Sequence, residues 1–376
     1  MKIGVIGYGK RIETVIHEVM KADTGCQVAA IVDIRKDAIK DQLEAKGWDH
    51  VHYYDTPEQM LETEQLDGAM IGTRCNLHAT MGAKVLQHNL PLYIEKPVAT
   101  NFEDLLLLKS SYEASTSPAV VSFPLRVTSI VELVKEIVQS GKIGTVEHVQ
   151  AINNVPYGRV YFQSWYRNEE ETGGLFLQKA THDLDYIQAI LGQRPVSVCA
   201  MTSKQIFKGT KSAGLKCVDC EDNRTCLEST VSAKEPLDPT WQYCCYAEDT
   251  GNEDSGSALF RYESGMHMSY TQNFFIRRGA AARGARFMGY KGTVDFDFYS
   301  GQVKVHMHHT GRVETYELEA GDNHFGGDEK LASNFAAIMR GTASSISTLD
   351  DGLMSALMCM KAQESARTGT FQNLSW

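Results

Sequence analysis

Apolar runs of four to six residues alternate with longer mixed stretches over the first third of the chain. Residues 2–6 and 27–32 are β-prone and apolar on both sides, as strands covered on both faces are. A helix is expected between them, from about residue 12 to 20. Further strands are predicted at 51–54, 69–71, 92–94 and 119–122. Two helix starts are legible: Thr56-Pro57-Glu58-Gln59 has a capping threonine, a proline at the first helical position and an amide three residues on, and Thr100-Asn101-Phe102-Glu103 repeats that logic. Strand and helix in strict alternation imply a parallel, doubly wound sheet over residues 1–123.

The pattern changes after Phe123. A helix over 129–139 is expected to stop at Ser140-Gly141. Long strand-like runs follow at 146–153, 196–202, 258–262, 266–273, 293–298 and 302–308, with Glu263-Ser264-Gly265 as a hairpin loop. Helices over about 329–340 and 352–367 close the chain. Residues 124–376 therefore read as a second domain of α+β type with an open, largely antiparallel sheet. Within it, 204–250 is polar, bears cysteines and fits no regular element. The C-terminal helices are candidates to pack back on the first domain.

Composition narrows the classes. A chain of 376 residues holds two domains with ease, and a formal charge of −10 argues against nucleic acid or an acidic membrane as the main partner. No run reaches the ~18–20 apolar residues of a membrane helix. The first strand begins at residue 2, leaving no room for a signal peptide, and nine cysteines without such a signal suggest reduced thiols in a cytoplasmic protein. Cys217-x-x-Cys220, Cys226 and Cys244-Cys245 could hold a structural zinc or be free thiols; the spacing is not a standard ribbon, and no catalytic metal is expected.

Chemistry gathers at the carboxyl edge of the first sheet, where ligands of open α/β sheets bind. Gly7 permits a sharp turn, and the bare backbone of Gly9 lets a pyrophosphate approach, with Tyr8, Lys10 and Arg11 alongside and the next helix directing its free amides at the phosphate. The third glycine of such turns is absent, Ile12 standing there. Asp33 ends the second strand at the distance expected of an acceptor for adenosine ribose hydroxyls, which favours NAD; Arg35 could instead pair with a 2′-phosphate, leaving NADP open. Thr73 to His78, with Asn76 between, opens another helix whose amides face ribose or phosphate. Glu95-Lys96-Pro97 ends the fifth strand, and the proline holds Lys96 extended, projecting forward from the strand. A cis Lys96–Pro97 bond is one option.

Gly7-x-Gly9, Asp33, Thr73 to His78, Glu95-Lys96-Pro97 and the later Gly173-Gly174…His182 resemble the Gfo/Idh/MocA family, which includes glucose–fructose oxidoreductase and inositol dehydrogenases. The likeness runs from Lys2 to about Gly369. It implies an N-terminal Rossmann domain, a C-terminal open-sheet domain, an active site between them, NAD or NADP, homo-oligomers (dimer or tetramer) built on the open sheet, and sugar, polyol or cyclitol substrates. It implies that Lys96 contacts both nicotinamide and substrate hydroxyl, and that His182 is the general base, its ordinary pKa lying near working pH.

On a regular helix, Lys179, His182 and Asp183 would share one face. A lysine cation there favours neutral imidazole and stabilises an alkoxide. Many relatives carry aspartate four residues before the histidine; here Gln178 holds that place, and Asp183 or Asp185 is the substitute. Arg126, Trp165 with Arg167, and His324 in Asn323–Asp328 are further substrate candidates, whereas His306, His308 and His309 read as ordinary sheet residues. The leading expectation is dehydrogenation of a secondary hydroxyl. Two others stand beside it: a glycosidase or epimerase that retains and recycles its cofactor, and a non-catalytic dinucleotide and sugar sensor.

Overall fold

The computed structural model describes residues 1–233, 237–318 and 322–376. The chain divides into two compact units, one of 1–131 with 321–357, the other of 132–320 with 358–376.

The first unit is built on a six-stranded sheet in the order β3-β2-β1-β4-β5-β6. Its strands are β1 (Lys2–Ile6), β2 (Gln27–Val32), β3 (His52–Tyr54), β4 (Gly68–Ile71), β5 (Leu92–Ile94) and β6 (Ala119–Val121). Every pairing is parallel, so every connection is a crossover and both faces are covered. The helices α1 (Lys10–Ala22), α2 (Lys36–Glu44), α3 (Pro57–Thr63), α4 (His78–Gln87) and α5 (Phe102–Glu113) supply that cover. Thr56 caps α3 as expected, accepting from Gln59 N–H at 3.3 Å. The cap of α5 is one residue later than the pattern suggests. Asn101, not Thr100, accepts from Asp104 N–H at 2.8 Å and donates back to its carboxylate at 2.7 Å, a reciprocal cap that a short amide closes as well as a hydroxyl.

The helix of Gly327–Met339 packs against α1 in this unit, and Ser347 ties to β6 through Val121, its carbonyl accepting from the Val121 N–H at 2.8 Å and its hydroxyl donating to the Val121 carbonyl at 2.8 Å.

The second unit carries a nine-stranded sheet ordered β14-β13-β12-β11-β7-β10-β9-β8-β15. Its strands are β7 (Val146–Asn154), β8 (Pro195–Ser203), β9 (Ser255–Tyr262), β10 (His267–Asn273), β11 (Ala282–Gly289), β12 (Gly292–Asp297), β13 (Gln302–Met307), β14 (Val313–Glu317) and β15 (Gln372–Asn373). Within this sheet, among the described residues, only β7 and β10 pair in parallel. One face is packed: Val149, Ala151, Phe260, Met268, Tyr270, Phe287, Val294 and Phe296 are buried. β11, central in the sheet, is absent from the pattern-based reading. Its glycines dilute the alternation, yet Gly284 is required, because a Cβ there would lie 1.9 Å from the Phe296 carbonyl oxygen. Residues 204–233 and 237–250 form turns with two isolated bridges, Lys211 to Ala247 and Lys216 to Tyr243; residues 234–236 of that segment lie outside the described residues. Among the described residues, no helix is long and apolar enough to cross a membrane.

Candidate active site

The glycine turn is built as the sequence suggests, with one substitution of means. Gly7 has φ +80°, and a Cβ there would meet the Thr73 backbone nitrogen at 2.6 Å. Its N–H donates to Val32 at 2.8 Å, binding the turn to the end of β2. Gly9 begins α1 in extended geometry, and its missing Cβ would touch only the Gly72 carbonyl, at 3.7 Å. The protein itself thus leaves the space above Gly9 open. The absent third glycine is explained by Gly72, where a Cβ would collide with Ile12 at 2.4 Å. Close helix–strand packing is kept by moving the bare residue from α1 to the end of β4.

Asp33 holds this edge together. One carboxylate oxygen accepts from Tyr8 N–H at 2.8 Å and the other from Arg35 N–H at 2.8 Å, with the Arg35 guanidinium 3.3 Å away. Arg35 also donates to the Tyr8 carbonyl at 3.1 Å, so it is tied to the turn. The Tyr8 ring is buried. Ile34, which the sequence reading passed over, stands fully exposed between Asp33 and Arg35. Lys10 is exposed at the first position of α1.

Two loops at the ends of β4 and β5 are joined by the buried His78, whose Nδ1 faces the Pro97 carbonyl at 2.7 Å and whose Nε2 faces that of Thr73 at 3.2 Å. Burial pushes its pKa down, against the pull of those carbonyls and of Glu95. Asn76 lies between, with a buried Oδ1 that has no hydrogen-bond partner among the described residues. Glu95 is buried and accepts from Arg11 Nε at 3.0 Å and from Ser122 Oγ at 2.9 Å; Tyr93 donates to the same hydroxyl at 3.1 Å. Lys96, half-buried, follows directly, and its bond to Pro97 is cis. Arg11 also holds Asp328, to which His324 Nδ1 is 2.9 Å distant. The Arg126 guanidinium pairs with Asp351 at 2.6 Å. Arg11, Arg126 and Arg35 are therefore committed to protein groups.

In the second unit the regular helix expected after Gly173-Gly174 is replaced by a π-helical turn, Phe176–Ala180, running into α-helix Thr181–Leu191. Lys179 thus lies on the π turn, and His182 and Asp183 on the α-helix that follows it. Asp183, a substrate candidate by sequence, is fully buried. Its Oδ1 accepts from Arg283 Nε at 2.8 Å and its Oδ2 from Asn153 at 2.7 Å and Tyr270 at 2.8 Å, so both oxygens are engaged by groups of the sheet. Arg283 on β11 and Asn153 on β7 went unnoticed because neither strand end carries a motif. Lys179 and His182 are each only 6% exposed. Lys179 donates to the Tyr157 hydroxyl, and Gln178 donates to the Thr172 carbonyl at 2.6 Å. Glu253 receives the N–H groups of Leu175 at 3.2 Å and Phe176 at 2.8 Å and so anchors the start of the π turn. Trp165 stacks on Tyr166 with centroids 4.0 Å apart. Arg167 is buried, bound to Asp249 and Thr250 and lying 4.8 Å over the Tyr243 ring.

No group of three or more His, Cys, Asp or Glu side chains is arranged to hold a metal among the described residues, and all nine cysteines are free.

Residues 1–122 match the oxidoreductase family profile with an NAD-binding Rossmann fold, and residues 131–295 match the GFO/IDH/MocA C-terminal domain. The chain belongs to the Gfo/Idh/MocA family. It is similar to YteT of Bacillus subtilis, with 27% identity over 247 residues, 58% of this chain and 57% of that one. It is also similar to myo-inositol 2-dehydrogenase of Thermotoga maritima, with 26% identity over 220 residues, 57% of this chain and 62% of that one. Each match thus spans less than two thirds of the relative's length. Among solved structures, levoglucosan dehydrogenase in complex with NADH and levoglucosan superposes over all of both chains with a TM-score of 0.78 at 16% identity, a likeness of fold.

Proposed function

We propose that this family member is an NAD-dependent dehydrogenase that oxidises a secondary hydroxyl of a sugar, polyol or cyclitol. The observation that carries the reading is the support built beneath Lys96: Glu95, the residue before it, is buried and clamped by Arg11 and Ser122 at the edge where the glycine turn opens. A surface lysine needs no such foundation; a lysine that must present its ammonium at a fixed point does.

The residues at this edge fit a dinucleotide. The open space above Gly9 and the free amides of α1 suit a pyrophosphate. Asp33 suits ribose hydroxyls and repels a 2′-phosphate, which favours NAD over NADP, and the exposed Ile34 offers an apolar surface for adenine. The orphaned Oδ1 of Asn76 is an acceptor for a further ribose hydroxyl. When bound, the nicotinamide supplies a hydride acceptor.

Lys96 positions the substrate hydroxyl and lowers its pKa by its charge. We assign the base to His182, the candidate the sequence offers, with Lys179 adding a positive field that favours the alkoxide. Trp165 suits a sugar-binding wall, and His324, whose Nδ1 faces Asp328, is the further polar candidate. Arg126 and Arg167 we assign to holding the protein's own structure, since each guanidinium is already paired.

A second copy of the chain is the expected macromolecular partner. The register sets Ile152, Thr271, Ser257 and Met201 in one row across the open sheet face, and Gln150, Ser269, Leu259 and Cys199 in the next. Ile152, Met201 and Leu259 are exposed there.

The test is a panel of sugars, polyols and cyclitols assayed with NAD and with NADP at the reduced-nicotinamide band, run on the wild type and Lys96→Ala. Net reduction of NAD by the wild type, lost in the variant while the dinucleotide still binds, supports the proposal. Tight NAD binding with no turnover on any member, and a Lys96→Ala variant that keeps its biological function, would favour the sensor. A cofactor that is reduced once and never released would favour the recycling mechanism.

A further inference from the structure

The segment that carries Gln178, Lys179 and His182 opens without a cap of its own. The start of a helix leaves its first N–H groups without partners inside the helix, and the side chain just before it ordinarily accepts from one of them. Here that place falls to Gly173 and Gly174, both left-handed, with φ +75° and +83°, and neither has a side chain to offer. The acceptor comes from elsewhere. Glu253, just before β9 and 78 positions from Leu175, sets one carboxylate oxygen against the Leu175 N–H at 3.2 Å and the other against the Phe176 N–H at 2.8 Å. Gln363, in the helix Leu349–Thr368, donates to the Gly173 carbonyl at 2.5 Å. The fit is tight: a Cβ on Gly174 would lie 2.5 Å from Gln363 Nε2 and 3.5 Å from a Glu253 oxygen.

This cap brings no ion pair. A carboxylate withdrawn from water for stability alone stands opposite a cation, and no lysine or arginine among the described residues pairs with Glu253. Desolvation pushes its carboxyl up to about 7; its own N–H and those of Leu175 and Phe176 pull against that rise, and the like charge of Glu169, on the short helix Glu169–Thr172, adds to it. From the helix Leu349–Thr368, Gln363 and Cys359 complete the surroundings, the Cys359 thiol being pushed well up by burial first and then by Asp183 and Glu253. The folded value lies above the ordinary 4.5, so the charged form lowers stability as pH rises from there toward neutrality. A charge kept against stability is a mark of function.

We propose that Glu253 is the positioning residue of this segment: by capping it from outside, the carboxylate fixes where Lys179 and His182 stand. This rests on the dehydrogenase reading above. Phe176 opens the π turn that bears Lys179 and leads into the helix of His182, so the two N–H groups that Glu253 receives belong to the turn directly before both. The action is indirect. A tilt of the opening turn displaces the imidazole, and misplacement on the order of 1 Å costs about 100-fold in rate. A neutral amide is no substitute, because its NH2 would face one of the two N–H donors.

The test compares the full-length wild type with Glu253→Gln at about pH 8, where the carboxyl is charged. Amide exchange of Leu175 and Phe176, followed by NMR, needs no substrate and should quicken roughly tenfold or more. With a substrate that the panel shows to be oxidised, kcat should fall about tenfold or more, while KM and the affinity for NAD stay within about twofold. The melting midpoint should not fall, because the substitution removes a charge whose desolvation is unfavourable. Less activity at undiminished stability is a combination that a purely structural role does not give. Glu253→Asp, which keeps the charge but falls short of the two N–H groups, should lose kcat likewise. Unchanged kcat in Glu253→Gln overturns the proposal, as does unchanged exchange of the two amides or a midpoint that drops along with kcat. Should the exchange behave as expected while the wild type oxidises no member of the panel, the dehydrogenase reading falls and the cap on Leu175 and Phe176 stands.

Discussion

Arg11 and Asp328, 317 positions apart, meet in a two-pronged ion pair, with Nη1 to Oδ2 at 2.7 Å and Nη2 to Oδ1 at 2.6 Å. The Nε of the same guanidinium reaches Glu95 at 3.0 Å. One arginine at the start of α1 thus joins the glycine turn, the residue before Lys96 and the helix Gly327–Met339. Asp328 is almost wholly buried, and removing its charge leaves Arg11 partly stranded. Asp328→Asn is expected to cost about 3 kcal/mol, the typical loss when one partner of a buried pair is removed, measured by urea denaturation. Burial would raise the Asp328 pKa, but Arg11 and His324 hold it down to about 2. Since the folded value lies below the ordinary aspartate value of 3.8, the stabilisation is complete above that pH and is lost as pH falls toward 2. Asp328→Asn should therefore flatten the acid limb of the stability curve in that window.

Glu253 presents the opposite case. Burial pushes its carboxyl up to about 7, even though the N–H groups of Leu175 and Phe176 favour the charged form. A carboxyl whose folded pKa lies above the unfolded 4.5 binds its proton more tightly in the native state. The stability it confers is full below that lower value and declines as pH rises toward neutrality. The expected decline is about 2 kcal/mol between the two values, allowing for partial screening. Glu253→Gln should show little of it in thermal melts across that range. A wild-type midpoint that does not fall over this interval would refute the assignment.

The first unit was legible because its signals are local. Buried parallel strands are short apolar runs, and Thr56, Gly7 and Asp33 each act through neighbours a few residues or one strand away. What escaped the pattern depends on partners distant in sequence. Ile12 looks like a flaw in the glycine turn until Gly72, from the next strand but two in the chain, is seen beneath it. Asp183 looks available on a regular helix; the π turn before it and Arg283, 100 residues on, take it into the core. Glu253 carries no motif and gains meaning only from the N–H groups at the head of the π turn. β14 was missed for another reason: an edge strand of exposed and half-buried residues leaves no apolar alternation to read.

The open face of the nine-stranded sheet supplies a test of assembly. Leu259 and Met201 are 52% and 75% exposed on adjoining strands whose register places them on one face. Apolar side chains so placed favour a covering partner, and a charge set among them would be buried at that interface without a counter-ion. Leu259→Asp is expected to reduce the mass seen by light scattering toward that of one chain, with the circular dichroism of the fold unchanged. A wild type that already behaves as a single chain at high concentration would remove the basis for a partner on this face.

Gly7 and Gly9 separate the demands of the fold from those of the cofactor. At Gly7 the left-handed φ of +80° and the Thr73 backbone 2.6 Å from a new Cβ are both properties of the protein alone. Gly7→Ala should lower stability by about 1–3 kcal/mol whether or not dinucleotide is added. At Gly9 the backbone has φ −90°, which alanine adopts freely, and the added methyl meets nothing nearer than 3.7 Å. Gly9→Ala should therefore melt within about 0.5 kcal/mol of the wild type, as substitutions away from such constraints do. Its methyl group would occupy the space we propose for a pyrophosphate, and NAD affinity by calorimetry should fall at least tenfold, about 1.4 kcal/mol. Equal NAD affinity in Gly9→Ala and wild type would show that the dinucleotide does not approach this turn, and the proposed use of the sheet edge would have to be abandoned.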